Sequence, residues 1–175
     1  MCEPHWLDER ESKAWTDFLT AFSVLSRRIE QSLKGNSGLT AQQYDVLVNL
    51  GNAPGRELRM TELAEAVLLA KSSVTYQVGQ LEKAGLVRRT SCEGDDRGVR
   101  ASLTGAGWRK LSEAAPAHVA SVRRHFIDAM SASDFEALAR GLGALADSLR
   151  TLQDAEGAGN RAGREADTGD MGQGA

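Results

Sequence analysis

The sequence predicts a mainly α-helical protein carrying one small antiparallel β-hairpin. Three observations predict it. Apolar residues recur at spacings of three and four along most of the 175-residue chain. The period changes to two only once, between Leu86 and Leu103. Glycine and proline cluster where the helical periods stop.

The first element runs from about Ser12 to Lys34. Trp15, Phe18, Phe22, Leu25, Ile29 and Leu33 fall at spacings of 3, 4, 3, 4 and 4, so one helix face is apolar. Gly35-Asn36-Ser37-Gly38 stops it. Thr40 opens the next helix, with Gln43 completing a capping-box pattern and Tyr44, Leu47 and Val48 forming its apolar face. The run Gly51-Asn52-Ala53-Pro54-Gly55 ends it. A short helix follows, about Met60 to Leu68, then a tight connection at Leu69-Ala70 and another helix, about Lys71 to Ala84. Val74, Val78 and Leu81 face inward on the second of these, and Gly85 sits where a C-terminal cap belongs.

Leu86 to Ser91 reads as a strand and Val99 to Leu103 as its partner. Between them, Cys92 to Gly98 is polar and glycine-containing, which suits a hairpin tip. Thr104 begins a long helix to about Met130, in which Pro116 predicts a kink or a break. Ser133 and Glu136 form a second capping-box pattern. The last helix carries Phe135, Leu138, Leu142, Leu145, Leu149 and Leu152 at spacings of 3, 4, 3, 4 and 3, a seam that a partner helix can bury. Residues 153–175 hold six Gly and five Asp/Glu with no Val, Ile, Leu or aromatic residue, which predicts a disordered tail.

Composition narrows the function. No stretch approaches the roughly 18 uninterrupted apolar residues of a membrane span. The first residues show no basic segment followed by an apolar run, so no signal peptide is expected and the reading is a soluble, cytoplasmic protein. Two cysteines, Cys2 and Cys92, are too few for a disulfide framework or a zinc site. The three histidines, His5, His118 and His125, have no metal-ligand spacing. Gly141-Leu142-Gly143 lies inside a helical run and is not a phosphate loop. No enzymatic function, metal or cofactor is predicted. The net charge of -3 conceals a gradient: residues 56–110 carry ten Lys/Arg against seven Asp/Glu, giving +3, while both flanking thirds are acidic. Local charge decides whether a surface can approach phosphates.

The order helix, tight turn, helix, hairpin is a winged helix-turn-helix arrangement. A helix fits the major groove of B-DNA, where its outward side chains meet base edges. With Val74, Val78 and Leu81 inward, the helical period turns Ser72, Thr75, Tyr76, Gly79 and Lys83 outward and leaves Ser73 and Gln80 at the margin. Lys71 and Lys83 place a basic residue at each end, and Arg88 and Arg89 lie within reach of the DNA backbone. A merely solvated polar face would look the same. The hairpin adds Arg97 between two glycines, beside Asp95 and Asp96. An Arg on a narrow protrusion is suited to an adjacent minor groove, where negative potential is strongest. A carboxylate two residues earlier can hold its guanidinium by a bidentate pair.

The runs Met60-Thr61-Glu62-Leu63-Ala64-Glu65 and Leu81-Glu82-Lys83-Ala84-Gly85-Leu86-Val87 resemble the MarR family, the multiple antibiotic resistance regulators. So does Asp95-Asp96-Arg97-Gly98-Val99 continuing to Leu103-Thr104-Gly105-Ala106-Gly107. The resemblance covers about residues 12–152, and the Asp-x-Arg wing followed by Leu-Thr-x-x-Gly is its specific part. It implies a homodimer whose N- and C-terminal helices interlock and whose two winged domains read a pseudo-palindromic operator. The regulator is more often a repressor than an activator. The Arg matching Arg97 enters the minor groove, held by the Asp matching Asp95, and the helix matching Lys71 to Ala84 enters the major groove. Many relatives carry Arg where this chain has Tyr76, so the operator cannot be carried over. A phenol cannot make the bidentate guanine contact.

Four segments follow from this reading. They are an N-terminal dimerisation region (1–38), a winged helix-turn-helix domain (39–104), C-terminal dimerisation helices (105–152) and the tail (153–175). The dimer seams are Phe18 and Phe22 on the first helix and Leu138, Leu142, Leu145 and Leu149 on the last, unless they pack on each other within one subunit. Family members often release DNA on binding a small anionic or phenolic effector. Trp15, Tyr44, Trp108 and His118 are the residues here that would line its cleft; otherwise the two tryptophans are core and His118 is solvated. Two other readings stay open: a redox-sensing regulator using Cys92, and a dimeric protein-interaction module that binds no DNA.

Overall fold

The computed structural model describes residues 5–67, 69–92 and 95–169; of Cys92, residues 95–97 and residues 153–169 it describes the backbone alone. Six helices and a three-stranded sheet make up the described chain. They are α1 (Glu9–Ser37), α2 (Ala41–Asn52), β1 (Glu57–Arg59), α3 (Met60–Ala66), α4 (Lys71–Lys83), β2 (Val87–Cys92), β3 (Asp95–Leu103), α5 (Gly105–Val122) and α6 (Ala132–Gly169). The chain divides into two compact units between Ile127 and Asp128.

In the first unit, α2 runs through the middle of the core. Val46, Leu47 and Leu50 on α2, Leu63 on α3, Val74 and Val78 on α4 and Ala101 on β3 lose all contact with solvent. Each of the Val and Leu side chains contributes on the order of 1.5–3 kcal/mol by leaving water. α1 reaches this core only through its last turns, where Leu33 is buried. Thr40 and Gln43 close the expected capping box on α2, with hydrogen bonds of 3.1 Å each way.

The Leu-Thr-x-x-Gly run has a plain physical purpose. The Thr104 hydroxyl accepts from the Gly107 N–H at 3.0 Å and lies 2.8 Å from the Gly85 carbonyl oxygen, so it caps α5 and ties it to the end of α4. A Cβ on residue 107 would stand 2.1 Å from the Leu86 carbonyl oxygen, so only glycine fits. Gly85, at φ 73°, takes the left-handed conformation that ends α4.

Several boundaries differ from those the sequence predicts. α1 starts at Glu9, because Asp8 and Glu11 form a capping box ahead of the apolar period. β1 has no period-two signature, being three residues long, and it forms by pairing with β3: Glu57 opposite Ser102 and Leu58 opposite Ala101. The hairpin tip is shorter than Cys92 to Gly98. β3 begins at Asp95, with Cys92 paired to Asp95 after a register shift at Ser91. The helix passes Pro116 without a break, held on either side of the proline by the buried Leu111 and Ala114 before it and Ser121 after it. The irregularity comes later, as a π turn over Arg123–Ile127. The cap of α6 is Ser131, not Ser133: its hydroxyl accepts from the Asp134 N–H at 3.2 Å. α6 is helical to Gly169, where the sequence begins a disordered tail at residue 153. The Ala, Glu and Arg residues between 153 and 169 are helix formers, which the sequence reading outweighs with the glycines there.

Candidate nucleic-acid interface

α3, the connection to Ala70 and α4 form the helix-turn-helix. The Glu62 carboxylate accepts the Arg59 N–H at 2.8 Å and so fixes the start of α3. The rotation of α4 about its axis is set by four inward side chains. Val74, Val78 and Leu81 are buried, and so is Gln77, whose amide donates to the Gln42 Oε1 on α2 at 2.6 Å. With that face pinned, the opposite face is free of core duty. Lys71, Ser72, Thr75 and Tyr76 are exposed, Tyr76 at 63%, and Ser73 and Gln80 sit half-buried at its edges. The Thr75 hydroxyl donates to the Lys71 carbonyl at 2.9 Å, which leaves its lone pairs as acceptors.

Arg88 and Arg89 lie side by side on β2 and are both exposed. Arg89 is tied down. Its Nε donates to the Glu82 Oε2 at 2.8 Å, and its backbone N–H donates to the Glu82 Oε1 at 3.0 Å. These bonds hold the Glu82 carboxyl below its usual pKa. Arg100 on β3 pairs with Glu57 on β1 at 3.0 Å, bracing the sheet behind the wing. Between the start of α3, α4 and the wing strands lies a cleft of about 320 Å³, lined by Arg59, Met60, Thr61, Thr75, Arg89, Gly98 and Val99. The side chains of Asp95 and Arg97, and with them the expected carboxylate–guanidinium pair, lie outside the described residues, as do those of Cys2 and Cys92.

The four effector-cleft candidates make different contacts. Tyr44 and His118 do meet, with ring centroids 4.4 Å apart. The His118 Nδ1 is buried without a hydrogen-bond partner among the described residues. Burial lowers the His118 pKa, while the Asp45 carboxylate pulls it the other way. Desolvation raises the pKa of Asp45, against the attraction of His118, even though the residue as a whole is exposed. Trp108 instead lies under the Arg56 guanidinium, 3.9 Å from the ring centroid. Trp15 stacks on Phe18 at 5.8 Å, and Phe18 on Phe22 at 6.3 Å. Both tryptophans are exposed and His118 is half-buried among the described residues.

Sequence reading missed Gln77, Glu82, Arg59 and Thr61. None belongs to a periodic apolar pattern, and Glu82 meets Arg89 only because the Gly85 turn folds β2 back beside α4. Among the described residues, no group of three or more His, Cys, Asp or Glu is placed to hold a metal ion. No described helix is long and apolar enough to cross a membrane.

A helix pair with a pinned inner face, an open polar outer face and a hairpin alongside defines a winged helix-turn-helix protein. A sequence model of the MarR family matches residues 37–98, from the end of α1 into β3. AbsC, a MarR family transcriptional regulator from Streptomyces coelicolor, is 41% identical over 84% of this chain and 99% of its own, with a TM-score of 0.77. Sco3205, a MarR family transcriptional regulator from the same organism whose structure was solved in complex with DNA, is 34% identical over 83% of this chain and 91% of its own, with a TM-score of 0.78. The HTH-type transcriptional regulator PecS of Dickeya dadantii is 29% identical over 107 residues, 60% of this chain and 64% of PecS. The match thus spans just under two thirds of PecS. The chain belongs to the MarR family.

Proposed function

We propose that this chain is a sequence-specific double-stranded DNA-binding transcriptional regulator, a repressor, which binds a pseudo-palindromic operator as a homodimer. The observation that carries this reading is the outer face of α4, polar, exposed and rotationally fixed by Val74, Gln77, Val78 and Leu81. In this reading Lys71, Ser72, Ser73, Thr75, Tyr76 and Gln80 approach the major groove, Arg88 and Arg89 the backbone, and Arg97, steadied by Asp95, the minor groove. Sco3205 supports it as a relative solved with DNA. Dimerisation is supported by two rows of exposed apolar side chains, Trp15, Phe18 and Phe22 on α1 and Leu138, Leu142, Leu145 and Leu149 on α6. Exposed apolar surface on this scale marks an interaction site. Release by a small anionic or phenolic effector rests on the Tyr44–His118 contact, where a buried imidazole nitrogen lacks a partner.

Selection of bound duplexes from a random pool tests the reading. A two-fold consensus with half-sites roughly 10 base pairs apart is the expected result. An unenriched pool, with little duplex retained at any salt, would instead favour a protein-interaction module.

A further inference from the structure

The Glu82–Arg89 pair has a feature that the DNA-contact reading leaves unused. A carboxylate beside a DNA-binding surface repels phosphate, and this one stands at the end of α4, against β2 of the wing. Its geometry gives it a different use. Glu82 takes Arg89 from the side, through Nε at 2.8 Å and through Nη2. A side-on pair leaves the Nη1 hydrogens and one Nη2 hydrogen of the guanidinium uncommitted by that contact. The same carboxylate grips the Arg89 backbone N–H, so both the base and the head of the side chain are held. Arg89 also lines the cleft between α3, α4 and the wing, together with Arg59 and Thr61. Thr75 shares that wall, but its hydroxyl hydrogen is committed to Lys71, so Thr61 is the better donor there.

We infer that the cleft lined by Arg59, Thr61 and Arg89 seats a backbone phosphate of the DNA, and that Glu82 is the positioning residue that presets Arg89 to clamp it. The inference rests on the DNA-binding reading and deepens it. An arginine free in solution loses rotamer freedom when it takes up a phosphate, and one already held by Glu82 has lost most of it. Arg89 lines the cleft, and the hydrogens that the side-on pair leaves on Nη1 and Nη2 form an end-on fork that matches a phosphate bidentately. The cleft, at about 320 Å³, has room for a phosphate group.

The two roles available to Glu82 predict opposite signs. As a mere negative charge it weakens binding, and its removal tightens every duplex. As a positioning residue it strengthens specific binding, and its removal loosens the operator despite the gain in net positive charge. Affinity is measured by fluorescence anisotropy on the selected operator and on a scrambled duplex across a salt series, for wild type, Glu82→Gln, Arg89→Ala and the double variant, with melting temperatures. We expect Glu82→Gln to weaken operator binding by about 3- to 10-fold, with scrambled-duplex binding unchanged or tighter. Arg89→Ala should lower the salt slope by about two phosphates per dimer, one for each subunit. Adding Glu82→Gln to Arg89→Ala should cost nothing further. Operator binding by Glu82→Gln equal to or tighter than wild type, or an undiminished loss in the Arg89→Ala background, overturns the inference. Should Glu82→Gln melt early, Arg89→Lys takes its place. It keeps the charge but not the fork, so wild-type affinity from it also overturns the clamp. Failure of the wild type to bind any duplex is a separate result, which sinks the regulator reading itself.

Discussion

In the winged domain Leu47, Leu50, Leu63, Val74 and Leu81 are enclosed, whereas Trp15, Phe18 and Phe22 on α1 and Leu145 and Leu149 on α6 stand in solvent, Phe22 at 62%. Both sets follow a helical period, so both belong to continuous apolar faces. The difference lies in what covers them. α2, α3, α4 and the sheet supply one another's cover, and that core closes within one chain. The side chains of the rows on α1 and on α6 are exposed among the described residues. Apolar surface contributes about 25 cal/mol per Å² when it leaves water, so two uncovered rows are a standing drive toward association. In the reading proposed above, the enclosed core would carry the DNA-reading surface and the two exposed rows the pairing surface.

The largest effect expected from breaking that contrast is Leu145→Asp. It sets a charge in the middle of the α6 row, where burial against a partner costs several kcal/mol. Light scattering should find a monomer with the winged core still cooperative on melting. An intact dimer of wild-type stability would remove α6 from the interface. Next comes Gly107→Ala, which acts on the self-closing side. Its Cβ would meet the Leu86 carbonyl oxygen at 2.1 Å, an overlap with backbone that no rotamer relieves. A loss of about 3 kcal/mol by urea melts is expected, in the upper range for overpacking. A loss below 1 kcal/mol would mean that the close approach of α5 to β2 is not real.

On the reading surface, Arg97→Ala should cost on the order of 1–3 kcal/mol of operator affinity, mostly at A·T-rich flanks. Tyr76→Ala should change preference among major-groove positions and leave the melting temperature alone, because Tyr76 is exposed. A lower melting temperature with an unchanged selected consensus would turn α4 about its axis.

The smallest effect concerns acid. Burial lowers the His118 pKa in the fold, so the unfolded chain takes up that proton first. Stability should therefore fall as pH drops through the ordinary histidine value of 6.5, and His118→Gln should flatten that fall. Asp45 works oppositely: its raised pKa makes the fold the better proton acceptor as pH falls toward 3.8, which partly offsets the loss at the acid end. A melting temperature in His118→Gln that follows the wild-type pH curve would contradict the assignment.

What was legible in the sequence was whatever follows from period and local chemistry. Val74, Val78 and Leu81 mark the inner face of α4 by spacing alone, and Tyr76 and Thr75 stand outward as that spacing predicts. Thr40 with Gln43, and Gly85 after α4, are local backbone solutions that sequence states directly. Polar pairs between separate elements were not legible. Gln77 reads as a surface residue until Gln42 is found across from it, and Glu82 and Arg89 are seven positions apart with a reversal between them. β1 needs β3 as a partner before three residues can be a strand. The partners of the aromatic side chains were not legible for a related reason. Aromatic residues carry no marker of which neighbour they will choose, and Trp108 chose Arg56.

The central claim, that the outer face of α4 and the wing read duplex DNA, is tested most directly by titrating the wild-type chain against its selected duplex and a scrambled one between about 50 and 200 mM salt. Phosphate contact predicts an affinity that falls linearly on logarithmic axes, by on the order of a thousandfold or more over that range for a dimer touching six or more phosphates. The selected duplex should stay well ahead of the scrambled one throughout. Weak binding that ignores both salt and sequence would contradict the account.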